Sequence, residues 1–144
     1  MATRRNGFLA GLTVAMMALV GLHGCGWGED KKSSAEEVVE AAAERLDRAR
    51  GERTLNRLEQ LRLAMSRYAI DHDGSFPEGS SLAGISGELA PRYMPRLEAE
   101  DAWGNTMTYA SDGRGYSIVS IGPDGVSGTD DDIALRDGAV TGGS

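Results

Sequence analysis

The sequence predicts an α+β domain in which an amphipathic helix packs on a small antiparallel sheet. Three observations carry that expectation. From Thr54, apolar side chains return at three- and four-residue steps through Leu55, Leu58, Leu61, Met65 and Tyr68, the pattern of one buried helix face. Past residue 105 the period changes to two: Met107 and Tyr109 alternate with Thr106 and Thr108, and Tyr116 to Ile121 alternates again beyond the turn Ser111-Asp112-Gly113-Arg114-Gly115. That is a β-hairpin signature. A Gly- and Asp-rich loop then leads into Ile133-Ala134-Leu135, long enough for a short third strand.

Composition narrows the function classes. The 144 residues suit one modest domain with extra segments, and an aromatic content of 6% implies a small core. A formal net charge of −7 argues against nucleic-acid binding, which favours basic surfaces. The single cysteine excludes an internal disulfide. His23 and His72 stand in unrelated contexts, and no His/Cys metal cluster or Ser-His-Asp set is visible as a motif.

Residues 1–24 read as a targeting segment. Arg4 and Arg5 form a basic start, Phe8 to Leu22 is apolar and short for a membrane span, and Leu22-His23-Gly24-Cys25 closes it. These four residues resemble a bacterial lipobox, which implies cleavage before Cys25 and lipidation of that cysteine; His23 departs from the usual small residue. An ordinary signal peptide with an incidental cysteine is the alternative. Residues 25–34 are Gly- and Ser-containing and charged, a tether, in which Trp27 suits the lipid headgroup level.

Residues 35–51 are expected as a helical extension. Ser34 is a fair N-cap with Glu37 placed for a capping box, and Ala, Glu and Arg dominate the segment. Val38, Val39, Ala42, Leu46 and Ala49 make a thin apolar stripe, and Gly51 is a point where the helix is expected to kink or break. The globular domain is expected over 52–136. Its helix should end at Asp71-His72-Asp73-Gly74, a polar turn with a glycine stop, before Phe76-Pro77 turns the chain extended. A Gly/Ser-rich connector follows, anchored by Leu82 and Ile85, with one short helical turn near Leu89 to Pro95. Asp101-Ala102-Trp103-Gly104-Asn105 can close a turn through its Asp and Asn side chains, and Trp103 is expected in the core. Residues 137–144 read as a flexible tail.

The candidate site is Gly122-Pro123-Asp124-Gly125-Val126-Ser127-Gly128-Thr129-Asp130-Asp131-Asp132-Ile133. Pro123 and Gly125 favour a tight turn at Asp124, and Gly128 lets the chain double back. Two carboxylates 4–8 Å apart repel by roughly 2–4 kcal/mol at an effective dielectric of about 20. A hard cation removes that repulsion, and calcium takes about 6–8 oxygens of this kind. The spacing is that of neither an EF-hand nor a nonapeptide calcium repeat. A solvated acidic turn is the alternative.

The loop does resemble the C-terminal loop of the type II secretion major pseudopilins (protein G), whose pattern G-P-D-G-x-x-G-T-x-D-D-I is matched at every fixed position. The segment at 101–105 is similar to the same family's Asp-Pro-Trp-Gly-Asn, with Ala102 in place of proline. The resemblance covers about 54–135. It implies calcium bound by Asp124, Asp131 and Asp132 with backbone carbonyls, and leaves Asp130 at a variable position. It also implies a pseudopilin-like fold and a non-enzymatic role. The expected function is a calcium-stabilised structural or interaction module, anchored at the bacterial cell envelope through Cys25 and facing the periplasm or cell surface. Secretion-system or other envelope proteins are its expected partners. The alternative is a divergent true pseudopilin. Arg4-Arg5-Asn6-Gly7-Phe8 resembles the pseudopilin leader, but Leu12 stands where that family carries its assembly glutamate. A hydrolase would need a nucleophile, base or open metal position that the sequence does not offer.

Overall fold

The computed structural model describes residues 34–143. The expected leader, most of the expected tether and Cys25, the expected lipidation site, lie outside them. Helix α1 runs Ser34–Asp71 without interruption, so the extension and the domain helix are one element and the break expected at Gly51 does not occur. Its buried side chains are Thr54, Leu58, Leu61, Ala64 and Met65. Leu55, expected on that face, is exposed instead; the 54–58–61–65 row takes the sheet and turns Leu55 aside. No helix among the described residues is long and apolar enough to cross a membrane.

The helix ends where its sequence predicts. Asp73 and Gly74 adopt left-handed backbone angles, and the Gly74 N–H reaches back to Ala69 O at 2.8 Å, a C-cap that satisfies an orphan carbonyl. His72 stacks on Tyr68 with ring centroids 3.7 Å apart. Asp71 accepts from Arg92 and from the Tyr93 hydroxyl. This end of the helix is thereby tied to the connector.

Strand β1 (Gly79–Ser81) leads into α2 (Leu82–Leu89), whose N-cap Ser81 accepts the Gly84 N–H. The connector is thus more ordered than its Gly/Ser content suggests, because Leu82, Ile85 and Leu89 all bury at helical spacing. Strands β2 (Thr108–Ser111), β3 (Tyr116–Ser120), β4 (Ile133–Arg136) and β5 (Ala139–Gly142) complete an antiparallel five-stranded sheet in the order β1-β2-β3-β4-β5. Tyr109 pairs with Ile118, and Ile118 with Leu135. Met107, Tyr109, Tyr116, Ile118, Ile133 and Leu135 join the helix side chains in one core.

Strand β5 corrects the expected flexible tail. Asp137 and Gly138 take positive φ of 47° and 87°, a two-residue hairpin turn of the kind Asp-Gly favours. Ala139–Gly142 then pairs residue by residue with β4. All four β5 residues are exposed, so no apolar alternation marks the strand.

Candidate functional site

The acidic loop joins β3 to β4, and its start is held from outside. Asp101 is 3% exposed. Its Oδ1 accepts the N–H groups of Trp103 at 3.0 Å and Asn105 at 2.9 Å, closing the turn that 101–105 predicts. Its Oδ2 accepts the Ser120 hydroxyl at 2.7 Å. Ser120 Oγ in turn accepts the Gly122 N–H at 3.4 Å, and Asn105 Nδ2 donates to Gly122 O at 2.8 Å. Asn105 therefore does more than close its own turn, contrary to the local reading of that motif. Ser120 is a residue that sequence reasoning passed over. Its signal is a polar side chain in register with Tyr116 and Ile118 on the inward face of β3, since a buried polar group requires a partner.

Trp103 is half-buried rather than fully in the core. It packs against the core edge and over Gly51, and its Nε1 donates to Asp47 Oδ1 at 3.4 Å. A groove of about 370 Å³ beside it is lined by Gly51, Leu55, Pro123, Asp131 and Ile133 among others.

Within the loop each acid has a specific local role. Asp124 Oδ1 accepts the Val126 N–H at 2.8 Å. The Asp124 N–H donates to Asp131 Oδ2 at 3.2 Å, and the Thr129 hydroxyl donates to Asp131 Oδ1. The Thr129 bond, supported by the Asp124 N–H against a smaller burial effect, holds the Asp131 carboxyl below the usual carboxylate range. Asp132 Oδ2 accepts the Gly128 N–H at 2.8 Å. Asp132 Oδ1 is buried with no hydrogen-bond partner. Asp130 is exposed. Two glycines permit close approach to this segment. A Cβ at Gly122 (φ 63°) would stand 2.4 Å from Asp131 Oδ2, and one at Gly142 (φ 92°) would collide with Asp132 O at 1.9 Å.

The structure thus brings Asp124 and Asp131 together through the Asp124 backbone and ties Asp132 to Gly128. Among the described residues no three His, Cys, Asp or Glu side chains converge as a ready metal shell. The donor chemistry nevertheless fits a hard cation. All the side-chain donors are oxygens, and one buried carboxylate oxygen, Asp132 Oδ1, lacks a partner. Such an orphan is costly unless something satisfies it.

A family model described as type II secretion system (T2SS), protein G, matches residues 41–136. The match runs from within α1 to the end of β4 and takes in both the 101–105 turn and the acidic loop. No curated protein and no solved structure matches the chain.

Proposed function

Because the chain belongs to the type II secretion system protein G family, we propose that it is a non-enzymatic, calcium-stabilised structural module held at the bacterial cell envelope. A pseudopilin-related role in type II secretion follows from the family. The calcium and the anchor are our own reading. The observation that carries the calcium reading is Asp132 Oδ1, buried and unpaired in an acidic loop. Asp124, Asp131 and Asp132 are the side chains that would hold the ion. A bound calcium would supply the positive charge that cancels repulsion among these carboxylates and satisfies the orphan oxygen. The chain's own part is to close the loop, Gly128 N–H to Asp132 and Asp124 N–H to Asp131, between the paired strands β3 and β4.

Extracellular calcium modules bind at about 10⁻⁴–10⁻³ M. At about 2 mM calcium, binding to the folded state alone adds roughly 0.7–1.8 kcal/mol. Each kcal/mol raises the melting midpoint of a small domain by about 4–8 °C. The test is a thermal melt of the full chain in calcium, in magnesium and in chelator at matched ionic strength. A calcium-specific rise that Asp132→Asn abolishes supports the reading. Coincident melts in calcium and chelator, with no heat of binding, reduce the loop to an acidic turn.

The anchoring proposal rests on Arg4-Arg5, the apolar run and Leu22-His23-Gly24-Cys25. Intact-mass analysis of the membrane-derived protein should find an acylated N-terminal Cys25. A methylated Phe8 would instead assign a divergent true pseudopilin, the reading that Arg4-Arg5-Asn6-Gly7-Phe8 favours.

A further inference from the structure

We propose that Asp101 and Asn105 are positioning residues for cation binding: they hold Gly122, the first residue of the acidic loop, in the conformation on which Asp131 rests. The inference builds on the calcium reading above and assigns a role to residues that touch no ion.

A surface turn needs one side-chain oxygen to close it. Here Oδ1 of Asp101 does that work, with the N–H groups of Trp103 and Asn105. Its second oxygen is committed elsewhere, to Ser120 at the end of β3. Burying a carboxylate is costly unless its oxygens are bonded, so a buried charge at 3% exposure is more than turn closure demands. What the extra bond reaches is Gly122. Ser120 Oγ accepts its N–H and Asn105 Nδ2 donates to its carbonyl, so both backbone polar groups of Gly122 are clamped by side chains from outside the loop. Gly122 has φ 63°, and the place where a Cβ would stand lies 2.4 Å from Asp131 Oδ2 and 2.7 Å from Asp131 O. Gly122 therefore packs directly against Asp131 with no room for a side chain between them.

An ion that gathers carboxylates from a loose loop loses affinity to the ordering it imposes, and prior ordering removes that loss. Removing a side chain that orients a metal ligand typically weakens binding by about 10–100-fold. Asp112 provides the comparison: it closes the β2–β3 turn by accepting the N–H groups of Arg114 and Gly115.

The experiment is calorimetric titration of calcium chloride into the full chain, unmutated and with Asn105→Ala, Asn105→Asp or Asp112→Ala, with chelator melts alongside. Both Asn105 variants should bind calcium at least about tenfold more weakly, while their chelator melts fall no further than that of Asp112→Ala, since each change leaves backbone groups without their partner. Asp112→Ala should lower the melt and leave calcium affinity unchanged. Calcium affinity within about twofold of the unmutated chain in both Asn105 variants would overturn the positioning role and leave the calcium reading standing. Equal weakening in Asp112→Ala would also overturn it, because general loosening would then explain the effect. An unmutated chain that binds no calcium would remove both.

Discussion

The backbone N–H of Ala102 donates to Oγ1 of Thr54 at 3.1 Å, a bond between the middle of α1 and the Asp101 turn that a proline at 102 could not form. The motif that this turn resembles carries proline there, so this chain has exchanged a rigid residue for a tie to a fully buried threonine. Thr54→Val preserves the shape and removes the acceptor. It should cost about 1–2 kcal/mol in chemical denaturation, because the Ala102 N–H is left without a partner. In an Ala102→Pro background the same change should be neutral or slightly stabilising, a coupling that a double-mutant cycle reads directly. Equal costs in both backgrounds would show that the bond contributes nothing.

Gly51 sits inside α1 with Trp103 above it. A Cβ built there meets only Trp103 Cη2, at 3.8 Å, an ordinary contact. Gly51→Ala should therefore stabilise the domain by about 0.5–1 kcal/mol through the lower entropy of the unfolded chain. The melting midpoint should rise by about 2–8 °C. A fall in the midpoint would mean that the helix needs glycine at this point for a bend.

All four tyrosines sit in surroundings that disfavour the phenolate. Burial is the first cause for Tyr68, Tyr93, Tyr109 and Tyr116. Tyr68, which also donates to Glu88 Oε2 at 2.9 Å, is pushed up to about 12. A folded-state value above that of the unfolded chain, about 10, leaves stability intact below pH ~10. Stability should then decline as the pH rises from about 10 towards 12, where the unfolded state releases its protons first. Phenolate absorbance should show the folded chain ionising later than the denatured chain. Tyr68→Phe should delete the latest step. Ionisation of all four together at about pH 10 would refute the assignment.

Much of the fold is legible in local patterns. The 54–58–61–65 spacing announces the buried face of α1, and Gly74 its end. Alternation around Met107–Tyr109 and Tyr116–Ile118 announces the central hairpin. Each depends on a residue and its near neighbours, so it can be read along the chain. Among the local readings that fail, two show the physical reason most directly. Leu55 belongs to the apolar stripe by spacing, but the rotation of α1 on the sheet is set by which row packs best, and Thr54 takes the inward place. Ala139–Gly142 has no apolar face to announce it, although Asp137-Gly138 carried the turn signal.

The amino-acid sequence by itself determined the helix, the hairpin and the Asp101–Asn105 turn, because period and turn chemistry act over a few residues. Only the tertiary structure decided that Asp101 reaches Ser120, that Asn105 clamps Gly122, that Thr54 holds Ala102 and that Gly142 lies against Asp132. Each of these joins separate elements or loops. Whether a polar group finds its partner across such a gap depends on how α1 and the strands pack, and no local spacing contains that geometry.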